Sequence, residues 1–215
     1  MNAERRAAIF RALRDANPHP RSELEFSTPF ELLVAVILSA QATDRSVNEA
    51  TRKLYPKANT PAQILALGVA GLTPYIRRIG LYNAKAKNVI ETCRLLVAEH
   101  CAAVPREREQ LESLPGVGRK TANVVLNVAF GESTIAVDTH VFRVANRTGL
   151  APGATPQAVE RKLLKVTPPE FLLHAHHWLI LHGRHVCVAR KPHCPECVIA
   201  SQCEYRAKTP ATVRP

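Results

Sequence analysis

The stretch that decides the fold runs from residue 114 to residue 122 and reads Leu114-Pro115-Gly116-Val117-Gly118-Arg119-Lys120-Thr121-Ala122. It lies between two segments with helical periodicity, so the pattern predicts a helix, a tight glycine-containing turn and a second helix. Because Gly116 and Gly118 lack side chains, backbone N–H groups at the start of the second helix can approach a phosphate, and Arg119 and Lys120 add positive charge there. An ordinary helix–helix turn with a glycine cap is the alternative interpretation of the glycine pair alone.

The charge balance of the 215-residue chain favours a polyanionic partner. Lys and Arg number 29 and Asp and Glu 18, which gives a net charge of +11 and makes nucleic acid the first candidate. A transmembrane helix is not expected, since the longest apolar run, residues 30–40, is far shorter than the ~18 residues that a span needs. The N-terminal Arg5-Arg6 has no apolar region after it. We therefore expect a cytoplasmic protein, associated with the nucleoid if the source is bacterial.

Helix-start signals recur along the chain and predict an all-α fold of about ten short helices. A Thr followed by a Pro is typical of a helix N-cap and first helical residue, and it occurs at residues 28–29, 60–61, 73–74 and 155–156. The one β-leaning run, residues 134–137, is too short to build a sheet. The basic, proline-containing tail, residues 206–215, is expected to be disordered.

Four of the six cysteines crowd into one short C-terminal segment with the spacing C-x6-C-x2-C-x5-C, formed by Cys187, Cys194, Cys197 and Cys203. This spacing is typical of metal ligands, and the residues alone leave tetrahedral zinc, an iron–sulfur cluster and two disulfides open. Cys93 and Cys101 stand apart and are expected to be ordinary thiols. The nine histidines show no ligand pattern, and we expect packing and surface roles for them.

Three separated motifs together resemble the endonuclease III family of helix-hairpin-helix DNA glycosylases: residues 114–122, the segment Val137-Asp138-Thr139-His140-Val141, and the four clustered cysteines. The resemblance covers nearly the whole chain. It implies a two-lobed fold, with a helical barrel domain at 22–132 that carries the hairpin and an iron–sulfur domain formed by 1–21 and 133–215. It also implies a [4Fe-4S] cluster on the four cysteines.

The same resemblance implies that the protein removes oxidised pyrimidines from DNA and then cleaves the strand at the abasic site through a lysine Schiff base. Lys120 would be the nucleophile, although a simple phosphate contact is its alternative role. Asp138 would stabilise positive charge on the sugar and help to remove a proton from the attacking amine. An aspartate before an amphipathic segment is also a typical helix N-cap, and the two roles are compatible.

Further DNA contacts are implied at two loops and near the cysteines. Gln41 and Leu81 resemble the residues that the family inserts into the gap left by an extruded nucleotide; without the resemblance they would be assigned to a loop and to the core. Arg184, Arg190 and Lys191 lie close to the cysteines and are expected to face phosphate groups.

The expected partner is double-stranded DNA that contains damaged bases or abasic sites, bound by a monomer. The main alternative from another functional class is a helix-hairpin-helix module that binds DNA without catalysis and whose cysteines hold a structural zinc ion. The presence of Lys120 together with Asp138 argues against it. A monofunctional mismatch glycosylase, for example one that removes adenine, is a second alternative, although such family members usually lack the hairpin lysine. A relative that repairs alkylated bases is the third.

Overall fold

The computed structural model describes residues 1–210. Within them the chain forms ten α-helices, two short 3₁₀ helices and no β-strand, which confirms the all-α prediction. No helix in this part of the chain is long and apolar enough to cross a membrane. The helices are α1 (Ala3–Ala16), α2 (Pro29–Ser39), α3 (Asp44–Leu54), α4 (Pro61–Ile76), α5 (Tyr82–Glu99), α6 (Arg108–Glu112), α7 (Arg119–Phe130), α8 (Thr139–Thr148), α9 (Pro156–Val166) and α10 (Leu172–His185), with 3₁₀ turns at Pro169–Phe171 and Cys194–Glu196.

The chain divides into two compact units. The hairpin unit is Ser22–Glu132 and contains α2 to α7. The cysteine unit is formed by Met1–Arg21 together with the chain from Ser133 onward, and it contains α1 and α8 to α10. Each unit has its own apolar core.

Helix α2 is the centre of the hairpin unit. Every residue from Phe30 to Leu38 is buried, because α3, α5 and α7 all pack against this helix. A helix enclosed on all sides has no polar face, which explains the apolar run in the sequence. Its buried Glu31 is fully engaged, since its carboxylate accepts hydrogen bonds from the Ser27 N–H and the Asn59 side chain.

Three of the four predicted Thr-Pro helix starts are confirmed. The hydroxyls of Thr28, Thr60 and Thr155 each accept a hydrogen bond from a backbone N–H in the first turn of α2, α4 and α9. The prediction at residues 73–74 is wrong, because Thr73 and Pro74 lie inside the second half of α4. The Thr73 hydroxyl bonds back to the Val69 carbonyl at 2.7 Å instead of capping a new helix.

Aromatic side chains join the first and last helices of the cysteine unit. The ring of Phe10 on α1 stacks on Phe171 with centroids 5.7 Å apart, and Phe171 meets Trp178 on α10 edge to face. The Trp178 indole N–H donates to the Asn17 carbonyl at the end of α1. These contacts hold α1 against α10, although the two helices lie at opposite ends of the sequence.

The predicted disorder of the tail is wrong for residues 206–210. The Lys208 ammonium donates to the Ala200 carbonyl at 2.7 Å, and the Thr209 hydroxyl donates to the Pro192 carbonyl at 2.6 Å. These bonds tie the tail to the segment that carries the clustered cysteines. The rest of that prediction concerns residues 211–215, which lie outside the described residues.

Candidate functional site

The glycine-containing turn between α6 and α7 has the form that its sequence predicts. Gly116 adopts φ +79°, and a Cβ at this position would lie 2.9 Å from the Asn88 side-chain nitrogen. The Val117 side chain between the two glycines is buried and anchors the turn in the core. Gly118 is the N-cap of α7 and provides no side-chain cap. The first N–H groups of α7 therefore stand at an exposed glycine, as an anion-binding turn requires.

Lys120 lies on the exposed side of the first turn of α7, next to the exposed Arg119. The helix buries Ala122, Val125 and Leu126 on its other side. The amphipathic pattern of α7 thus fixes the lysine at the surface, directly after the hairpin turn, where a substrate can reach its amine.

Asp138 is the N-cap of α8 in the cysteine unit. Its Oδ1 accepts hydrogen bonds from the backbone N–H groups of His140 and Val141, each at 2.8 Å. The side chain is partly exposed, and both bonds end on the same oxygen. The capping role that the sequence suggested as an alternative is therefore present, and Oδ2 remains for other interactions.

Gln41 and Leu81 lie at the tips of two adjoining loops of the hairpin unit. A Cβ on Gly80 would lie only 3.7 Å from the Gln41 carbonyl oxygen, so the loops pack together. Both residues have left-handed backbone conformations, with φ of 53° and 61°. The Leu81 side chain is 59% exposed, which excludes the core role that its residue type suggests.

The four clustered cysteines line one small pocket, together with His182, Tyr205 and Lys208. All six cysteines of the chain have free thiols, so the two-disulfide alternative has no support. Burial raises the pKa of the Cys197 and Cys203 thiols, and the other cysteines of the pocket raise it further. A bare thiolate is thus disfavoured in this pocket, and a positively charged metal group would compensate for its burial.

Hydrogen-bond donors surround the sulfur atoms of the pocket. Arg147 lies 3.8 Å from Cys187 Sγ, the Tyr205 N–H donates to Cys203 Sγ at 3.5 Å, and His182 Nε2 lies 3.7 Å from Cys197 Sγ. Burial lowers the pKa of His182 to about 4, so its ring is neutral at physiological pH. Donors of this kind orient and stabilise metal-bound thiolates.

Two arginines on α8 hold the start of the cysteine segment, and sequence reasoning missed both. Arg143 donates to the carbonyl oxygens of Cys187 and Gly183 at 2.9 and 2.7 Å. Arg147 donates to the carbonyls of Val188 and Ala189 at 2.7 and 2.8 Å. Their i, i+4 spacing places them on one face of the helix, but their acceptors are about forty residues away in sequence and could not be read from it.

The three basic residues predicted near the cysteines occupy different environments. Arg190 and Lys191 are exposed in the loop between Cys187 and Cys194, and Lys191 has a left-handed backbone with φ 51°. Arg184 is half-buried in the last turn of α10. The loop residues are therefore the better placed of the three to meet a phosphate backbone.

The donor set of this pocket is four thiols. Cysteine thiolates are ligands of both structural zinc and iron–sulfur clusters, so the residues present fit either group. Among residues 1–210, no group of three or more His, Cys, Asp or Glu side chains is placed to hold one metal ion.

Comparison with known proteins agrees with this geometry. Residues 34–169 match the HhH-GPD superfamily of base excision DNA repair proteins. The chain is 64% identical to endonuclease III of Escherichia coli K12 over 208 residues, which cover 97% of this chain and 99% of the relative. The chain belongs to the endonuclease III family. It is also 61% identical to the Haemophilus influenzae enzyme over the same shares of the two chains.

Solved structures extend the likeness to the fold of the endonuclease III family. A trapped covalent intermediate of endonuclease III with DNA superimposes with a TM-score of 0.89, at 42% identity over 95% of this chain and 96% of that one. The resemblance inferred from the three motifs is thus confirmed. The protein is an enzyme of base excision repair, a DNA glycosylase with abasic-site lyase activity.

The two hairpin glycines should respond differently to substitution. Gly116→Ala should lower the free energy of unfolding by about 1–2 kcal/mol, because an alanine is strained at φ +79°. Gly118→Ala is the matched control, since Gly118 has an ordinary extended φ of −96° and open space around its Cα; we expect a change of no more than about 0.5 kcal/mol. Urea unfolding measures both, and equal losses would contradict the assigned role of Gly116.

Proposed function

We propose that the protein removes oxidised pyrimidines from double-stranded DNA and then cleaves the strand by β-elimination, with Lys120 as the nucleophile. The observation that carries this proposal is the position of Lys120, exposed in the first turn of a helix that begins at the glycine turn. Helix N-termini attract phosphate, so the turn would hold the DNA backbone while the amine faces the sugar. Membership of the endonuclease III family supports the substrate class.

The chemistry requires a neutral amine at Lys120. The amine nitrogen forms a bond to C1′ as the bond from C1′ to the base breaks, and the base departs with the electron pair and takes up a proton. Opening of the sugar ring then gives a Schiff base between the lysine and C1′. Loss of a proton from C2′ expels the 3′ phosphate, and hydrolysis of the Schiff base releases the enzyme.

Asp138 would act electrostatically and as a proton acceptor. Its Oδ1 is held by two backbone N–H groups of α8, so the carboxylate is fixed before substrate binds, as transition-state stabilisation requires. Its Oδ2 would face the positive charge that develops on the sugar and accept a proton from the attacking amine.

Gln41 and Leu81 would occupy the gap that the extruded nucleotide leaves. An exposed leucine on a loop separates base pairs, and an amide side chain next to it pairs with the orphaned base. The adjacency of their loops supports a joint role. Arg190 and Lys191 would contact phosphates from the cysteine loop, together with Arg119, Arg184 and the backbone of the hairpin glycines.

We infer that Cys187, Cys194, Cys197 and Cys203 hold a [4Fe-4S] cluster. The cluster would be structural, since four protein thiolates leave no open coordination position, and it would order the loop that presents Arg190 and Lys191. Membership of the endonuclease III family, the shared pocket of the four cysteines and the hydrogen-bond donors around the sulfurs support this assignment. We further infer that the enzyme acts as a monomer in the cytoplasm and associates with the nucleoid if the source is bacterial.

Replacing Lys120 tests the nucleophile. Lys120→Gln should abolish both strand cleavage and the covalent adduct that borohydride traps on a duplex containing an oxidised pyrimidine, because glutamine cannot form a Schiff base. DNA affinity should fall only modestly, since the backbone of the turn is retained. Gel analysis of the trapped adduct measures the first effect, and normal trapping by the variant would show that another amine reacts.

Replacing Asp138 separates capping from chemistry. Asp138→Asn should lower the rate of base excision by several orders of magnitude while the thermal unfolding temperature stays close to that of the wild type, because asparagine caps helices well. Single-turnover excision assays and calorimetry give the two quantities. A rate within a few-fold of the wild type would restrict Asp138 to a capping role.

The cluster makes a prediction about colour and metal content. Protein produced with sufficient iron and without oxygen should be brown and contain iron and inorganic sulfide in equal amounts. Cys197→Ser should lose iron and weaken DNA binding, since a hydroxyl is a poor replacement for a soft thiolate ligand. Cys101→Ser is the control, because this exposed cysteine lies outside the pocket and its loss should leave the iron content unchanged. Zinc without iron would refute the assignment.

A further inference from the structure

A long segment of the hairpin unit carries only positive charge. Residues 50–90 contain no Asp or Glu and seven Lys or Arg. The segment includes the end of α4, the loop with Leu81 and the start of α5. Arg77 and Arg78 are exposed directly before this loop. The surroundings of the loop therefore favour an anion.

The start of α5 is an uncapped helix terminus within this segment. Its N-cap is Leu81, which has no side chain that can accept a hydrogen bond from the first turn. The first N–H groups of an α-helix have no acceptor within the helix, and they form the positive end of its dipole. In α5, which has 18 residues, this positive end adjoins the proposed inserting residues.

Lys85 provides an independent sign of a missing anion. The residue is only 4% exposed, and its Nζ has no hydrogen-bond partner in the structure. Burial lowers the pKa of this amine, since an enclosed ammonium without a counter-charge is unfavourable. Side chains of an α-helix tilt toward its N-terminus, so the Lys85 side chain runs from the fourth helical residue back toward Leu81.

The same face of α5 carries the hairpin turn. Asn88, three residues after Lys85, lies against Gly116. Thr92, seven residues after Lys85, donates its hydroxyl hydrogen bond to the Pro115 carbonyl at 3.1 Å. These spacings place all three residues on one stripe of the helix. Lys85 therefore lies between the hairpin turn and the loop of Leu81, on a face that already carries a proposed phosphate-binding element.

We propose that the N-terminus of α5 and Lys85 form a second phosphodiester-binding subsite, which holds the DNA backbone beside the gap entered by Gln41 and Leu81. The subsite rests on the proposed function, because it needs DNA on this face of the hairpin unit. The phosphate gives Lys85 the counter-charge that the protein does not provide, and it accepts hydrogen bonds from the first N–H groups of α5. Arg77 and Arg78 raise the local positive potential.

The test compares Lys85→Met with Lys87→Met. The two residues lie on the same helix and lose the same charge, but Lys87 is exposed on another side of it. Affinity is measured for a duplex with a stable abasic-site analogue at several salt concentrations. For a wild type that neutralises ~4 to 6 phosphates, log K should fall against log[salt] with a slope of roughly −4 to −5.

Loss of the subsite has a signature in both binding and stability. Lys85→Met should make the slope less steep by about one and weaken binding three- to tenfold at ~0.15 M salt, while Lys87→Met should change the slope by less than half of the change that Lys85→Met causes. Because it removes an unpaired buried amine, Lys85→Met should unfold at the same temperature as the wild type or a higher one.

Other results of these measurements would contradict either the subsite or the proposed DNA interface. A lower unfolding temperature or a failure to fold for Lys85→Met would show that Lys85 has a structural role and overturn the subsite. An unchanged slope, or equal changes in the two variants, would overturn it as well. A wild-type slope near zero would instead overturn the proposed DNA interface as a whole.

Discussion

The hydrogen bonds at the start of α8 are the constraint on which the cysteine unit depends. Asp138 Oδ1 fixes the first turn through two backbone N–H groups, and the helix it begins projects Arg143 and Arg147 onto the carbonyl groups of the cysteine segment. Charge-assisted bonds of this kind are stronger than neutral ones. A continuous set of hydrogen bonds through α8 thus connects Asp138 with the start of the cysteine segment.

This arrangement is compatible with the chemical role that we propose for Asp138 beside its capping role. Because Oδ1 accepts both capping bonds, the orientation of the carboxyl group is set by the backbone and needs no substrate to form. A preorganised charge costs no reorganisation energy when positive charge develops nearby. The position of Lys120, the proposed nucleophile, is also set by the fold, since it follows from the glycine turn and from the apolar side of α7.

The features that the sequence predicts correctly are those with local causes. Thr28 and Thr60 cap helices through atoms within three residues of themselves, and the hairpin follows from its glycines. The prediction at residues 73–74 fails because α4 continues through Pro74. The bonds of Arg147 to the cysteine loop and the burial of Lys85 depend on packing between distant segments, which no local pattern encodes.

Backbone strain offers a separate argument for where the protein meets DNA. Within residues 1–210 the non-glycine residues with positive φ are Gln41, Leu81, Cys101, Ala102 and Lys191. Cys101 and Ala102 follow the C-cap of α5, where the Ala102 N–H bonds to the Leu96 carbonyl, and left-handed residues are common directly after helices. Gln41 directly follows Ala40, the C-cap of α2, and has the same explanation, whereas Leu81 and Lys191 do not lie at the end of a helix. Such conformations cost about 1–3 kcal/mol each and concentrate at functional sites, and Leu81 and Lys191 were proposed for the DNA interface on other grounds, the family resemblance and the charge. Strain, charge and exposure therefore mark the same surfaces by independent routes.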